Sequence, residues 1–525
     1  MRNRDICIFE PGKGEQTNGY QSFGGEVQLK KLVGLMMMMF LLIIPVDAFA
    51  GKFDPPGNPG HWYAGDDPGS IDPNKAPIVF VHGLNSSSHT WWDGNDMYDT
   101  ARANGYQTAF VDLYPVKDMW DNGSMLATML EEIYHHFGRK PLVLVTHSKG
   151  GVDSQTALVH YGAHPYVSNV ITLSTPHHGS QLADLAYSSW AGWLAEIIGG
   201  RNDGTYSLQT GHMAYYRSLT DSHAHHRTNP IYTLAGTSWG SFGGSLYWGG
   251  LYLSQYGQND GAVTVSSSRL PYARELAVSN WDHYNINNGR TTFQHFRSYL
   301  TPNRHTVSTM NAQAEVDQPL ASATIFRGGE EQGEVKEVVT VEDGVQTITF
   351  DYLSDAPLQD VTVTAPNGDK YPLNQVVEVE GEFAGAWQHI ATVTNPQVGE
   401  WTVTAKHVKT HPYLLTVQLE GGVTDQLEIE IPTVTNEKIK TKGAKINKQK
   451  LKYDVQVEYT NPANKTVTQK VKARVTKDGE LYLPLNKEGS YTITLDVSGE
   501  TTNKAPFERT IVKNVYVDKN GKLFQ

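Results

Sequence analysis

Between residues 76 and 300 the sequence alternates short runs of β-branched and apolar residues with longer stretches of helical character. Alternation of this kind is typical of a mostly parallel sheet with helices on both faces, because parallel strands need long crossover connections. The runs that predict buried strands are residues 78–81, 108–113, 142–146, 170–173 and 231–235. The pattern therefore predicts an α/β fold for this part of the chain.

One connection between these runs has a clear helical period. Its apolar residues, spaced three and four apart, are Met125, Leu126, Met129, Leu130, Ile133, Tyr134 and Phe137. This spacing places them on one face of a helix. Ser124 can cap the start of that helix and Gly138 can end it.

After about residue 304 the helical period disappears, and alternating strands separated by turn signals such as Asn367-Gly368 follow. A lysine-rich, glycine-containing segment at residues 437–452 divides this half of the chain. We therefore predict two immunoglobulin-like β-sandwich modules behind the α/β domain. The predicted domains are residues 51–305, 306–435 and 436–525.

Residues 1–50 have the order of a secretory signal peptide. A basic pair precedes an apolar stretch at residues 32–46, and Ala48 and Ala50 are the small residues of an expected cleavage site. The apolar stretch is shorter than the roughly 20 residues of a bilayer span, which favours a cleaved signal over a membrane anchor. We expect cleavage after Ala50 and a secreted protein.

The polar residues 1–26 are an unusual preface to a signal peptide, so Val27 is an alternative start. Cys7, the only cysteine, lies in that preface. The secreted form is then expected to have no disulfide and no thiol nucleophile. The formal charge of −12 over 525 residues gives no sign of a nucleic-acid-binding surface.

The segment Thr-His-Ser-Lys-Gly-Gly begins at Thr146, directly after a predicted strand and before a predicted helix. A sharp strand-to-helix turn needs small residues near the serine, and it places helix N–H groups beneath the negative charge that develops during attack on a carbonyl. Ser148 is therefore the candidate nucleophile. Thr146 stands where glycine is usual, which weakens the motif.

His82-Gly83-Leu84 follows the strand at residues 78–81. In a nucleophile-elbow fold, one oxyanion donor comes from the loop after this early strand and the other from the residue after the nucleophile. We therefore predict the backbone N–H groups of Leu84 and Lys149 as donors. The side chain of Lys149 is expected to be incidental.

A serine hydroxyl needs a base to become nucleophilic, and the base needs an acid that fixes its tautomer. The expected chain order is serine, acid, histidine. Asp260 follows the strand at residues 231–235, and His283 precedes the closing helix. We predict Asp260 as the acid and His283 as the base. Asp282 is the alternative acid, although a loop residue rarely reaches Nδ1 of its own neighbour.

This set of motifs resembles the secreted bacterial lipases and related esterases of the α/β-hydrolase superfamily. The motifs are His82-Gly83-Leu84, His147-Ser148, Thr175-Pro176-His177-His178-Gly179-Ser180, Asn259-Asp260-Gly261 and Asp282-His283. The resemblance covers residues 76–300, and a small non-glycine residue at position 146 is similar to some Bacillus-type lipases. It implies hydrolysis of triacylglycerols or other carboxylic esters through an acyl-enzyme, with no organic cofactor. Many such lipases hold structural Ca²⁺ or Zn²⁺, and no ligands for either ion match here.

Four tryptophans are the candidate substrate-binding residues. Trp190 and Trp193 lie in an apolar stretch that fits either a mobile lid or a helix packed permanently on the core. Trp239 and Trp248 lie in a glycine-rich insert before Asp260, which fits an acyl-binding or polymer-binding wall or a packed loop.

Other histidines have weaker claims to a role. His177 and His178 precede the acid in the chain, so we expect them to shape the site. His223, His225 and His226 crowd together and fit either a metal site or a solvated loop.

The leading interpretation is a triacylglycerol lipase or carboxylesterase whose partner is a lipid substrate. The nearest alternative is an extracellular polyester depolymerase with the same triad. An acyltransferase and a non-catalytic surface-binding protein are the remaining alternatives. The β modules fit either spacers or a surface that binds a solid polymer or the cell wall.

Overall fold

The structure, a computed structural model, describes residues 57–191, 200–244, 246–304, 323–378, 385–423, 427–432 and 437–525. The predicted signal peptide, the alternative start at Val27 and Cys7 lie outside the described residues. Among the residues described, no helix is long and apolar enough to cross a membrane.

Seven strands form the sheet of the first domain in the order β1-β3-β2-β4-β5-β6-β7. They are β1 (Trp62–Ala64), β2 (Ile78–Val81), β3 (Thr108–Val111), β4 (Leu142–His147), β5 (Val167–Leu173), β6 (Ile231–Gly236) and β7 (Arg274–Ser279). Only β1 runs antiparallel to its neighbour, and the other pairs are parallel. The predicted α/β fold is confirmed, and all five predicted strands are present.

Helices cover both faces of this sheet. They are α1 (Met97–Ala103), α2 (Met119–His136), α3 (Lys149–His160), α4 (Gln181–Ala186), α5 (Asp203–Ser207), α6 (Thr210–Thr220), α7 (Tyr247–Leu253) and α8 (Gly289–Phe296). Short 3₁₀ turns are Ser88–Trp91, Ser254–Tyr256 and Arg297–Tyr299. Successive side chains of a strand point to opposite faces. Val79 and Val81 therefore pack in one core, and Ile78 and Phe80 in the other.

The helix predicted from residue 124 starts five residues earlier. The Asp118 carboxylate caps α2 by accepting hydrogen bonds from the N–H groups of Trp120 and Asp121, both at 3.0 Å, so the prediction of Ser124 as the cap was wrong. Position 123, inside the helix, requires a glycine. A Cβ there would come within 2.7 Å of Thr156 on α3. The helix ends before Gly138, whose φ of +68° supports the predicted end.

The first β module is one sheet in the order β11-β10-β14-β9-β13-β12, with β8 paired to β14. Its strands are β8 (Thr324–Val341), β9 (Val345–Ser354), β10 (Thr362–Thr364), β11 (Lys370–Pro372), β12 (Gln375–Glu378), β13 (Trp387–Thr394) and β14 (Gly399–Gly421). The long strand β14 pairs with β8 along its length, with β10 near its start and with β9 towards its end. The register shifts between His407 and His411, an irregularity that divides the long ladder into two halves.

The second module consists of small sheets and a five-stranded sheet in the order β19-β18-β22-β23-β24. Its strands are β15 (Glu428–Glu430), β16 (Glu437–Lys438), β17 (Lys440–Lys442), β18 (Lys452–Asn461), β19 (Asn464–Val471), β20 (Arg474–Val475), β21 (Glu480–Tyr482), β22 (Gly489–Glu500), β23 (Pro506–Val517) and β24 (Leu523–Phe524), with a 3₁₀ turn at Lys448–Lys450. Val423, Leu427 and Ile429 pack in this module's core. Hydrophobic packing therefore favours a transition between the modules upstream of the predicted residue 435.

Both modules pack against the α/β domain through a surface that we call the module interface. It is a shared apolar core in which Trp248 and Tyr252 of α7 meet Phe326 and Leu414 of the first module and Tyr516 of the second. A shared core of this kind removes apolar side chains of all three parts from water, which stabilises their association.

Candidate active site

Ser148 stands on the turn between β4 and α3. Its φ of 51° and ψ of −132° are strained for a residue with a side chain. A Cβ on Gly150 would lie 2.3 Å from the carbonyl oxygen of His82, and one on Gly83 would lie 2.8 Å from Cβ of Ser148. Only glycine allows these close approaches, so the local sequence is fitted to a nucleophile elbow.

Thr146 fits the elbow despite standing where glycine is usual. Its side chain is buried in the sheet, and its hydroxyl donates to the carbonyl oxygen of Ile171 on β5 at 3.1 Å. The threonine therefore reinforces the neighbouring strand pair at the end of β4.

His283 and Asp260 meet in the interior of the site. Nδ1 of His283 lies 2.8 Å from Oδ2 of Asp260, and the His283 backbone N–H donates to the Asp260 carbonyl oxygen at 3.0 Å. The rival Asp282 is half-buried, and its Oδ1 accepts from the N–H groups of Tyr284 and Asn285. The geometry therefore pairs the histidine with Asp260.

The second carboxylate oxygen of Asp260 also accepts hydrogen bonds. Oδ1 accepts from the backbone N–H groups of Ala262 at 3.0 Å and Val263 at 2.7 Å. Burial alone raises the pKa of Asp260, but the neighbouring His283 and these hydrogen bonds outweigh it, so the net pKa lies below the usual value. The carboxylate is therefore ionised and fixed in orientation at neutral pH.

His147 connects the elbow to His283. Its ring lies 4.8 Å from the His283 ring, and its Nε2 lies 2.7 Å from the His283 carbonyl oxygen. Burial and the nearby His283 lower the pKa of His147 to about 3, so it is neutral. Nε2 must then carry its proton, because the carbonyl can only accept. The sequence motif contains this residue, but its role depends on a contact across 136 positions.

The loop after β2 is held by His82. Its Nε2 accepts from the Leu113 N–H and its Nδ1 donates to the Gly83 carbonyl oxygen, both at 2.9 Å. Burial lowers the pKa of His82 to about 4, which keeps the ring neutral. The rigid loop carries Leu84, and the N–H of Lys149 belongs to the first turn of α3, where helix geometry leaves N–H groups without intrahelical partners. Their role as oxyanion donors stays a prediction.

The side chain of Lys149 is not incidental, contrary to the expectation from sequence. It is buried, with Nζ 2.6 Å from Oδ1 of Asp153, and the Asn122 amide donates to Oδ2 of the same carboxylate at 3.0 Å. Burial raises the pKa of Asp153, and the ammonium of Lys149 opposes that rise. The i, i+4 spacing of the two residues was a signal of this pair in the sequence.

The four tryptophans lie in different surroundings. Trp239 lines a cleft of about 360 Å³ together with Asp282 and Tyr284, the two neighbours of His283. Trp190 is half-buried against the shared core, and Trp193 lies outside the described residues.

The prediction of Trp248 as a substrate-binding residue was wrong. Only 1% of its surface is exposed, and its Nε1 donates to the Thr416 hydroxyl of the first β module at 3.4 Å. In the intact chain it packs between domains and does not face a substrate.

The other histidines form no metal site among the residues that the structure describes. His225 stacks on His164 with ring centroids 3.9 Å apart, and His223 packs against His160. His177 is fully buried, and burial keeps its pKa well below the usual value.

Comparison with known proteins defines the family. The PGAP1-like alpha/beta domain matches residues 110–189. The crystal structure of Bacillus licheniformis lipase BlEst2 in propeptide form has a TM-score of 0.77 and 40% sequence identity, and the match covers 89% of this chain and 100% of that chain. The chain belongs to the lipases and esterases of the α/β-hydrolase family. This lipase-family protein is therefore a serine ester hydrolase.

A second structure, B. licheniformis lipase BlEst2 in mature form, is 57% identical to this lipase-family protein. That match covers 47% of this chain and 100% of that chain, with a TM-score of 0.45. A search of curated proteins by sequence finds no match.

Proposed function

We propose that this hydrolase is a secreted lipase or carboxylesterase that cleaves carboxylic esters through Ser148, His283 and Asp260. The observation that carries the proposal is the buried 2.8 Å contact between His283 and Asp260 beside the elbow that holds Ser148. A carboxylate on Nδ1 leaves Nε2 of the histidine to act as a base.

In the first half of the reaction, Nε2 of His283 takes the proton from Oγ of Ser148 as Oγ attacks the ester carbonyl carbon. The N–H groups of Leu84 and Lys149 donate to the developing oxyanion. The tetrahedral intermediate then collapses. His283 returns its proton to the alcohol, which leaves behind an acyl-enzyme on Ser148.

In the second half, His283 takes a proton from water as the water oxygen attacks the acyl carbon. The second tetrahedral intermediate collapses, the carboxylic acid leaves, and the proton returns to Oγ of Ser148. Asp260 stays ionised throughout, and it orients the ring and stabilises the imidazolium that forms twice per turnover. These steps require no cofactor.

A lipid is the substrate class that we propose. The relative with 40% identity is named a lipase, and the cleft lined by the two sequence neighbours of His283 has an aromatic wall in Trp239. An aromatic side chain in a cleft favours contact with an acyl chain through apolar burial. Export of the enzyme is supported by the signal-like order of residues 28–50.

The test compares hydrolysis of p-nitrophenyl butyrate, p-nitrophenyl palmitate, emulsified triolein and a polyester film. Ser148→Ala is the inactive variant, and Ser218→Ala, at an exposed serine on α6, is its matched control. Turnover of palmitate and triolein that is lost only in Ser148→Ala supports the lipase. Turnover of the polymer alone assigns a depolymerase, and unchanged activity in Ser148→Ala contradicts the mechanism.

We further propose that the intact chain is a precursor whose β modules restrain the catalytic domain. The relative that matches most of this chain is described in a propeptide form. In this chain the ammonium of Lys465 on β19 pairs with Asp118, the cap of α2, and the Tyr187 hydroxyl donates to the Lys465 carbonyl oxygen at 2.7 Å. Helix α5 packs beside β19, and its Gly204 lies against the side chain of Leu84.

Limited proteolysis of the full chain tests this second proposal. Activity on p-nitrophenyl butyrate is followed while mass spectrometry records the loss of the β modules. We expect activity to rise as the modules are lost, and Lys465→Met to reach the same activity at a lower protease dose than Lys470→Met. Constant activity across the cleavage would show that the modules do not restrain the site.

A further inference from the structure

A second cleft lies on the edge of the catalytic sheet, apart from the residues around Ser148. Its volume is about 490 Å³. The lining residues come from β1 and the residues after it, from the 3₁₀ turn before Trp92, from α1 and from β3: Tyr63, Ala64, Gly65, Asp66, Ser88, His89, Trp92, Tyr98 and Phe110. Four of these nine residues carry a phenyl, phenol or indole ring, and none is a lysine or an arginine.

The rings that line the cleft do not lie in one plane. Phe110, which is buried, is the inner ring. Trp92 and Tyr98 each meet it at an interplanar angle of 86° with centroids 5.0 Å apart. Tyr63 stands at the opening, with 42% of its surface exposed. Rings at right angles around one space form a cage, whereas a flat sugar ring is bound on a single aromatic platform.

The cage is held in position by its surroundings. The Tyr98 hydroxyl accepts a hydrogen bond from the Asp66 N–H at 2.7 Å. Gly65 makes room for that ring, because a Cβ there would lie 3.0 Å from Tyr98 and 2.1 Å from the Thr108 hydroxyl. His89 packs on Trp92 with centroids 5.0 Å apart. A cage that is already formed loses little conformational entropy when a ligand enters.

The rim carries an ion pair. Asp66 lines the cleft, and its carboxylate, which is 70% exposed, lies 3.6 Å from the guanidinium of Arg102. None of the described residues that line the cleft is a lysine or an arginine, so no cationic side chain of the lining occupies the ring faces. Aromatic faces attract cations through the ring quadrupole. A cation with an apolar surface is therefore the ligand that fits the rings.

We propose that this cage, formed by Tyr63, Trp92, Tyr98 and Phe110, binds a quaternary ammonium group such as the trimethylammonium group of choline. The methyl groups contact the ring faces and the positive charge is shared among them. Binding at this site is independent of ester hydrolysis, so Ser148→Ala protein binds the same group equally well.

The test is isothermal titration calorimetry of the full chain with choline chloride at fixed ionic strength. The neutral isostere 3,3-dimethyl-1-butanol is titrated beside it, and glucose is the saccharide control. We expect choline to bind and both neutral compounds to bind at least about tenfold more weakly. Equal binding of the isostere, or binding of glucose without choline, would overturn the proposal.

Variants locate the site. Trp92→Leu should weaken choline binding about tenfold, Trp92→Phe should retain most of it, and Tyr161→Ala, at an exposed tyrosine after α3, should leave it unchanged. Melting curves check that each variant folds. If Trp92→Leu does not fold, Tyr63→Leu and Asp66→Asn change exposed side chains and serve instead. Full choline affinity in both of these would overturn the assignment.

Vesicles distinguish two sources of the same group. Co-sedimentation with phosphatidylcholine but not with phosphatidylglycerol vesicles, lost in Trp92→Leu, assigns a lipid headgroup and supports the site. Binding of free choline without vesicle binding supports the site with a soluble ligand.

Discussion

The catalytic domain and the β modules use buried polar side chains in different ways. In the catalytic domain they converge at the carboxyl ends of parallel strands, where His82, Ser148 and His283 come together. In the modules they are spread over broad sheet faces. Some of their bonds stay within one module, as between Gln388 and Asp351, and others join one body to another, as in the pair of Glu342 from the first module with Arg509 from the second. The first arrangement supports chemistry, and the second supports attachment.

At the module interface, buried polar side chains of the catalytic domain also serve attachment. Oε1 of Gln209, the residue before α6, accepts from the Asn514 amide at 2.7 Å and from the Ser490 hydroxyl at 2.9 Å. Asn514 in turn accepts from the Gly211 N–H at 3.2 Å. These groups are buried, and their bonds across the interface fix its register without taking part in catalysis.

The largest expected effect tests whether Asp260 and Asp282 have different roles towards His283. Asp260→Asn should lower kcat/KM for p-nitrophenyl butyrate roughly 10⁴-fold, because the amide no longer fixes the required tautomer. Asp282→Asn should change kcat/KM by less than about threefold, because its carboxylate bonds to loop N–H groups. Steady-state kinetics on both variants decide the matter. Equal losses would mean that Asp282 also serves the base.

A smaller effect tests the attachment between the modules. Glu342→Gln removes the carboxylate that pairs with the buried Arg509 guanidinium, and it should cost about 3–5 kcal/mol in the free energy of unfolding. Glu330→Gln, at an exposed position on β8, is the matched control and should cost less than about 0.5 kcal/mol. Urea unfolding followed by fluorescence measures both. A loss as small as that of the control would show that the pair is not required.

The next effect concerns the module interface itself. Gln209→Ala removes an acceptor from Asn514, Ser490 and Thr492 and should destabilise the intact chain by about 1–3 kcal/mol. The same substitution in chain freed of its β modules by proteolysis should have little effect, because those donors are gone. Thermal melts before and after proteolysis compare the two. Equal destabilisation in both would place the role of Gln209 within the catalytic domain.

The dependence of stability on pH distinguishes the two regions. Burial lowers the pKa of His147 to about 3, so the unfolded chain binds a proton between about pH 6.5 and 3 that the folded chain does not. This histidine therefore makes the free energy of unfolding fall as the pH falls through that window. His147→Asn should reduce the fall, measured by urea unfolding at pH 7 and pH 4.

Asp351 on β9 gives the opposite dependence. Burial raises its pKa to about 8, so the folded chain holds a proton between about pH 3.8 and 8 that the unfolded chain releases. The contribution of this carboxyl is full below pH 3.8 and is lost as the pH rises to 8. Asp351→Asn should flatten the loss between pH 5 and 8. An unchanged profile in either variant would contradict the assigned protonation state.

Much of the catalytic site could be predicted because its signals are local. The elbow requires small residues at fixed offsets from Ser148, and the strand before it is a short buried run. The cap of α2 was missed because Asp118 precedes Met125, the first residue of the apolar period, by about two turns. The role of Trp248 was missed because the sequence pattern of an apolar residue in a glycine-rich insert is the same whether the residue contacts a substrate or a β module.

The sequence by itself determined the α/β fold, the nucleophile elbow and the β-rich character of residues 306–525, because each follows from short-range spacing and strand period. Only the tertiary structure decided that Asp260 and not Asp282 meets His283, that Lys149 pairs with Asp153 in the interior, and that Trp92, Tyr98 and Phe110 enclose one space. These contacts depend on the positions of loops after distant strands, and those positions are set by packing across the sheet.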